Sequence, residues 1–170
     1  MPNFRTARIA DVPAIGKLHY NAWLETYRGL LSEDYLATLS PERMATIFAH
    51  RAPANLYLLE DEGELWGFAL VGHGREHDLP PRTGELCGIY LRAAYQGYGY
   101  GKTLFAWAEN RLKGMGYQRM FLWVLATNQK AIGFYEAMGM HSDGKTQFAN
   151  LGGPAMEVRM VKELAPETLK

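Results

Sequence analysis

The sequence predicts an α/β (mixed α+β) fold on a central mixed sheet, and three patterns carry that expectation. "ELCGIYL", a helix opening at Gly99, and "RMFLWVLA" form a strand–helix–strand unit. Such a unit makes its two strands parallel, with a right-handed connection, in nearly all cases. "NLYLLE" and "LWGFALVG" flank Asp61-Glu62-Gly63, a hairpin signal. The tail, "GKTQFANLGGPAMEVRMVKEL", reads as two more strands.

The remaining elements follow in chain order. "FRTARI" alternates and predicts a strand. Asp11 stands as the N-cap of a helix to about Tyr27, with Pro13 tolerated in its first turn. Ser40-Pro41 opens a second helix, "PERMATIFAHR". Leu104, Ala108, Leu112 and Met115 share one helical face, and Gly114 and Gly116 end that helix. "RMFLWVLA" is almost continuously apolar, as expected of a strand buried on both faces. Asn128 caps a short helix, "QKAIGFYEAM", that stops at Gly139. About four helices are expected. There is no repeat, low-complexity tract or evident linker, so residues 1–170 are expected to form a single domain.

Composition excludes several classes. Lys plus Arg, 18, equals Asp plus Glu, 18, so no net field favours nucleic acid or an acidic membrane surface. No apolar run approaches a membrane span, and "MPNFRTARIADVP" lacks the pattern of a signal peptide. Cys87 is the single cysteine, so no disulfide can form within the chain and a cytoplasmic location is expected. "HGREH", His73 to His77, matches the H-x-x-E-H pattern of zinc hydrolases. That motif needs a helix, whereas Gly72, Gly74 and Pro80-Pro81 point to a loop between two strands, and no metal is expected. Cys87 could carry an acyl group, but a strand-buried thiol is usually inert.

"YQGYGYGKTL", Tyr95 to Leu104, is the segment richest in chemistry. Its Gly101-Lys102-Thr103 ends like a nucleotide-binding P-loop, yet the glycine needed five residues before the Gly-Lys pair is Gln96. Its Gly97-x-Gly99 begins like a dinucleotide motif, yet the third glycine is replaced by Lys102 or Leu104, depending on the starting glycine. Gln96-x-x-Gly99-x-Gly101 leading into a helix does fit an anion nest. Glycines align successive N–H groups, and the helix start adds about half a positive charge. Such a nest binds pyrophosphate without a metal. Open α/β sheets place ligands at the carboxyl ends of their strands, where this turn lies.

A second motif, Asn128-x-x-Ala131-x-x-Phe134-Tyr135-Glu136-x-x-Gly139, follows the parallel partner strand. Together the two motifs, across about Leu86 to Met140, resemble the GNAT superfamily of N-acetyltransferases. The resemblance implies a sheet with a splayed parallel pair and a turn that grips the pyrophosphate of acetyl-CoA. Carried over by position, Ile89, Tyr90 and Leu91 offer backbone groups to the pantetheine arm. Gln96, Gly97, Tyr98, Gly99, Tyr100, Gly101 and Lys102 hold the phosphates, and Asn128 touches the cosubstrate. A backbone N–H near Ile89 polarises the thioester carbonyl. Tyr135 is the expected acid, also contacting acetyl-CoA.

Glu85 or a water network is the expected base. Glu85 begins the same strand and shares a face with Cys87, Ile89 and Leu91 by the two-residue period. Its spacing to Gln96 matches the register of the basic glutamate in histone-type relatives. His19, Trp23 and Tyr27 recur every four residues on the first helix, where Trp23 and Tyr27 could cradle an amine or else belong to the core. The resemblance adds Arg28, Phe148 and Asn150 as acceptor contacts. The acceptor is expected to be an amine of a small molecule or peptide. Whether the chain forms a homodimer stays open. The reading from another class is a non-catalytic acyl-CoA sensor on this fold; Tyr135 and Glu85 favour the enzyme.

Overall fold

The structure, a computed structural model, describes residues 1–166. Its strands are β1 (Asn3–Thr6), β2 (Leu56–Asp61), β3 (Glu64–Gly72), β4 (Thr83–Leu91), β5 (Arg119–Leu125), β6 (His141–Asn150) and β7 (Pro154–Glu163). They follow the order β1-β2-β3-β4-β5-β7-β6. The β4–β5 ladder is parallel, Thr83 pairing with Arg119 and Glu85 with Phe121, as the crossover predicts. Five α-helices accompany the strands among the described residues: α1 (Val12–Tyr27), α2 (Glu33–Leu36), α3 (Pro41–Phe48), α4 (Tyr100–Gly114) and α5 (Gln129–Ala137).

Two compact units share the chain. One comprises Met1–Leu70 with Gly88–Leu104, the other Val71–Cys87 with the residues from Phe105 onward. In the first, Ile15, Leu18 and Ala22 on α1 are buried, as are Met44 and Phe48 on α3 and Leu58, Leu59 and Phe68 on the strands. The two helices approach so closely that a Cβ on Gly16 would lie 2.5 Å from the Ala45 Cβ and 2.6 Å from the Pro41 carbonyl. The β2–β3 hairpin turns at Glu62 (φ 52°) and Gly63 (φ 79°), with Asp61 opposite Glu64. Positive φ at both central residues matches the twist of the flanking strands.

In the second unit Phe105, Ala108 and Leu112 bury the face of α4. Met120, Phe121, Leu122, Val124 and Leu125 are buried along β5, as its unbroken apolar run predicts. β5 pairs antiparallel with β7 over its whole length, and β6 adds to the far side of β7.

Three local details differ from expectation. Asp11 is the residue before α1, but its carboxylate does not cap that helix. It accepts instead from the Arg8 N–H at 2.7 Å and from two Arg5 nitrogens at 2.8 Å, so a 3-10 turn, Ile9–Asp11, precedes α1. Hydrogen bonding to Arg5 holds the Asp11 carboxyl down to about 2. α3 stops at Phe48, short of Arg51. The additional helix, α2, is a single turn whose N-cap Ser32 accepts from the Tyr35 N–H at 3.2 Å. No helix among the described residues is long and apolar enough to cross a membrane.

Candidate active site

In the first unit, β4 ends at Leu91 and a 3-10 turn, Ala93–Tyr95, leads into the glycine-rich segment. Gln96 is extended, and its side-chain amide donates to the Leu91 carbonyl at 2.9 Å, closing the base of the turn. Gly97 and Gly99 both sit at φ 85°, a region that residues with a Cβ enter at a cost. Among the described residues, apart from the adjoining ones, no atom lies within 4 Å of where a Cβ would stand on either, so the two positions demand glycine for backbone conformation.

The first helical bond of α4 runs from the Thr103 N–H to the Gly99 carbonyl at 3.2 Å. The amides of Tyr100, Gly101 and Lys102 therefore precede the intrahelical ladder and have no helical acceptor. Aligned donors at a helix start, after two left-handed glycines, suit a pyrophosphate.

Beside this strand stands an aromatic wall. The Tyr27 and Tyr90 hydroxyls are 3.0 Å apart, so a side chain expected to meet the acceptor bonds one on the expected donor strand. Trp23 packs on Tyr27 with ring centroids 4.4 Å apart. His19 is different: 7% exposed, it lies among Trp23, Phe48, Phe68 and Tyr90. Burial pushes its pKa down to about 4, which keeps the imidazole neutral. His19 Nδ1 and Trp23 Nε1 are buried with no hydrogen-bond partner among the described residues. The helical repeat of four thus resolves into one core member, His19, and two half-buried members, Trp23 and Tyr27.

The second unit holds Glu85, Asn128 and Tyr135. Glu85 is half-buried opposite Phe121, and Cys87 donates its thiol to the Glu85 carbonyl at 3.8 Å. The segment after β3 crosses here, for a Cβ on Gly74 would stand 2.6 Å from Phe121 and 3.4 Å from the Glu85 Cβ. "HGREH" belongs to this irregular segment, with His73 Nδ1 bonded to the Tyr117 hydroxyl. Among the described residues no three His, Cys, Asp or Glu side chains are grouped to hold a metal.

Asn128 is 8% exposed, and its side-chain oxygen accepts from the Ala131 N–H at 3.2 Å, the cap its sequence position predicts. Tyr135 is half-buried on α5 beside Phe134, whose ring meets Phe105 edge-on at 6.2 Å. Lys162 donates to the Met138 carbonyl at 2.7 Å and pairs with Glu109 at 2.8 Å. A cation at the carboxyl end of α5 stabilises the helix that carries Tyr135. Phe148 is 71% exposed on β6, and the Asn150 side chain accepts from the Gly153 N–H at 3.2 Å.

Two clusters escaped the sequence reading. Arg159, 4% exposed on β7, donates to Asp78 at 2.8 and 3.0 Å and to Asp143 at 2.7 Å, with Glu76 at 3.5 Å. Its guanidinium lies 5.7 Å from the Trp123 ring centre, and the Trp123 N–H donates to Glu76 at 2.7 Å. In the first unit, Trp66 stacks on Tyr95 at 4.6 Å, and the Tyr95 hydroxyl donates to Asp61 at 2.7 Å. That bond pushes the phenol's pKa up to about 12. Asp61 in a turn and Tyr95 before the glycines were visible signals, but nothing local linked them.

The sequence profile of the acetyltransferase (GNAT) family matches residues 20–140. An uncharacterized N-acetyltransferase of Bacillus subtilis strain 168, YuaI, is 31% identical over 159 residues, covering 93% of this chain and 91% of its own. Among solved structures, the PaiA N-acetyltransferase of Thermoplasma acidophilum in complex with coenzyme A matches with a TM-score of 0.73 at 22% identity, over 96% of this chain and 99% of that one. The yncA protein of Salmonella typhimurium, solved with acetyl-CoA, matches with a TM-score of 0.73 at 20% identity, over 100% and 98%. At these identities the two structures show a shared fold.

Proposed function

Because the chain belongs to the GNAT family of acetyltransferases, we propose that residues 1–170 act as one cytoplasmic N-acetyltransferase domain. It moves the acetyl group of acetyl-CoA to an amine of a small molecule or peptide. The observation that carries this is the turn Gln96–Gly101, with Gly97 and Gly99 at φ 85° ahead of the first amides of α4. The residues fit a pyrophosphate, and the family supplies acetyl-CoA as the molecule that bears it. Backbone groups of Ile89, Tyr90 and Leu91 take the pantetheine arm, and Asn128 borders it.

The reaction is direct attack. The amine nitrogen forms a bond to the thioester carbonyl carbon, the carbon–sulfur bond breaks, and the thiolate takes a proton. An alkyl ammonium with pKa near 10.4 is neutral about once in 10³ at pH 7, a handicap of roughly 4–5 kcal/mol. Glu85, directly or through water, receives that proton, and Tyr135 returns one to the sulfur. Trp23 and Tyr27 form an apolar, π-rich wall for the amine-bearing substrate.

Thiol release from acetyl-CoA tests the reading across polyamines, amino acids, aminoglycosides, arylamines and short peptides. Release with one class, reduced at least tenfold by Tyr135→Phe and well beyond any change in acetyl-CoA affinity, is the expected result. Acetyl-CoA binding without release from any acceptor would favour the sensor. Undiminished acetyl-CoA binding by Gly99→Glu would overturn the assignment of the turn.

A further inference from the structure

A segment with three glycines within five residues is intrinsically costly to order, because glycine loses more backbone freedom than any other residue. A ligand gripped by such a turn binds more tightly when the protein has already fixed it. The first unit contains a device that does so. Tyr95 precedes the turn and Tyr100 lies near its end, and their rings lie 6.1 Å apart, bracketing Gly97 and Gly99. Tyr100 also meets Phe4 of β1 at 6.1 Å.

Tyr95 is anchored twice to the β2–β3 hairpin, by its stack on Trp66 and its hydrogen bond to Asp61. The Arg92 N–H donates to the Trp66 carbonyl at 2.9 Å, its guanidinium lies 5.8 Å from the Trp66 ring centre, and its side chain pairs with Glu25. Asp61 is itself placed by the hairpin turn, and the Trp66 indole donates to the Asp61 carbonyl at 3.4 Å.

We propose that Asp61 and Trp66 are positioning residues for acetyl-CoA, acting through Tyr95 to hold the phosphate-binding turn in its bound shape. This rests on the reading of Gln96–Gly101 as the pyrophosphate turn. It makes an unusual prediction of sign. Removing a carboxylate near a polyanion should tighten binding by simple Coulomb attraction, whereas loss of an anchor should weaken it.

The test is the affinity of the full chain for acetyl-CoA and for S-acetylpantetheine, which lacks the pyrophosphate and the nucleotide. Calorimetry and competition binding need no knowledge of the acceptor. Tyr95→Phe keeps the stack but loses the hydroxyl, and Asp61→Ala loses the acceptor. Each should weaken acetyl-CoA binding by roughly 5- to 10-fold, the worth of one hydrogen bond. The double variant should be no weaker than either single. Asp61→Asn, which retains an accepting oxygen without the charge, should bind like wild type or more tightly. S-acetylpantetheine affinity should be unchanged throughout.

Equal weakening for both donors would overturn the proposal in favour of a general packing role, as would tighter acetyl-CoA binding by Asp61→Ala. Unchanged affinity in Tyr95→Phe would overturn it too, and that variant carries the test if Asp61→Ala does not fold. A wild type that binds the two donors equally would instead remove the underlying reading of the turn.

Discussion

His19 and Arg159 are both almost wholly buried basic side chains, and the two units accommodate them in opposite ways. Around His19 the first unit places the rings of Trp23, Phe48, Phe68 and Tyr90, burial keeps the imidazole neutral, and its Nδ1 has no partner among the described residues. Around Arg159 the second unit gathers Glu76, Asp78 and Asp143, and the guanidinium stays charged. The difference follows from chemistry. Imidazole can shed its proton near neutral pH and escape the cost of a buried charge; guanidinium cannot, and has to be paired. Arg159 therefore ties the segment after β3 and a residue of β6 to β7, whereas His19 fills space.

The largest effect expected is at Arg159. Arg159→Ala removes the guanidinium shared by three carboxylates, leaving Lys145 at 3.7 Å from Asp78 as the cation beside them, and should cost about 3–5 kcal/mol, the range for breaking a buried pair. Chemical denaturation would measure it. Arg159→Lys should recover only part, since an ammonium cannot reproduce the forked contact with Asp78. A loss under 1 kcal/mol in Arg159→Ala would place the network among surface ion pairs of little weight.

Acid separates the two sites. The His19 pKa falls from 6.5 in the unfolded chain to about 4 in the folded one. Folding therefore binds fewer protons, so the stability from a neutral His19 is complete above pH 6.5 and is lost as the pH falls towards 4. The full loss is about 3 kcal/mol. Asp78, hydrogen-bonded by Arg159, sits near 2 rather than 3.8, so its contribution is lost in a lower window, between about 3.8 and 2. His19→Phe should abolish the first loss and leave the second. Stability measured from pH 7 to 2 would show whether the two windows separate as expected.

What the sequence discloses and what it hides divide along the same physical line. The β2–β3 hairpin and the Asn128 cap were legible because each is set by neighbours within a few residues, and the parallel crossover because a strand–helix–strand order admits one usual connection. The glycine turn was legible for the same reason: its φ values are properties of Gly97 and Gly99 themselves. Arg159 and its carboxylates at 76, 78 and 143 leave no periodic trace, because only tertiary folding assembles them. Asp61, Trp66 and Tyr95 were hidden similarly. The repeat His19, Trp23, Tyr27 lies between these cases. Its spacing marks one helix face, but cannot say that the face passes from core at His19 to half-buried at Tyr27.

The smallest expected effects sharpen the comparison most, because they use one substitution at two sites. Trp23 and Trp123 are both half-buried indoles, one in each unit. Trp23 Nε1 has no partner among the described residues, while the Trp123 N–H donates to Glu76 at 2.7 Å beneath the Arg159 guanidinium. Trp→Phe removes a similar apolar area in both places. At Trp23 it also removes a desolvated donor, a gain of about 1–3 kcal/mol that offsets the lost packing. At Trp123 it removes a charge-assisted bond and weakens a cation–π contact, each adding to the loss. Trp123→Phe should therefore be the more destabilising by about 1–2 kcal/mol, with Trp23→Phe close to neutral. Equal losses at the two sites would mean that the Trp23 indole has a partner in solution. Its unit would then satisfy its buried polar groups as the other does.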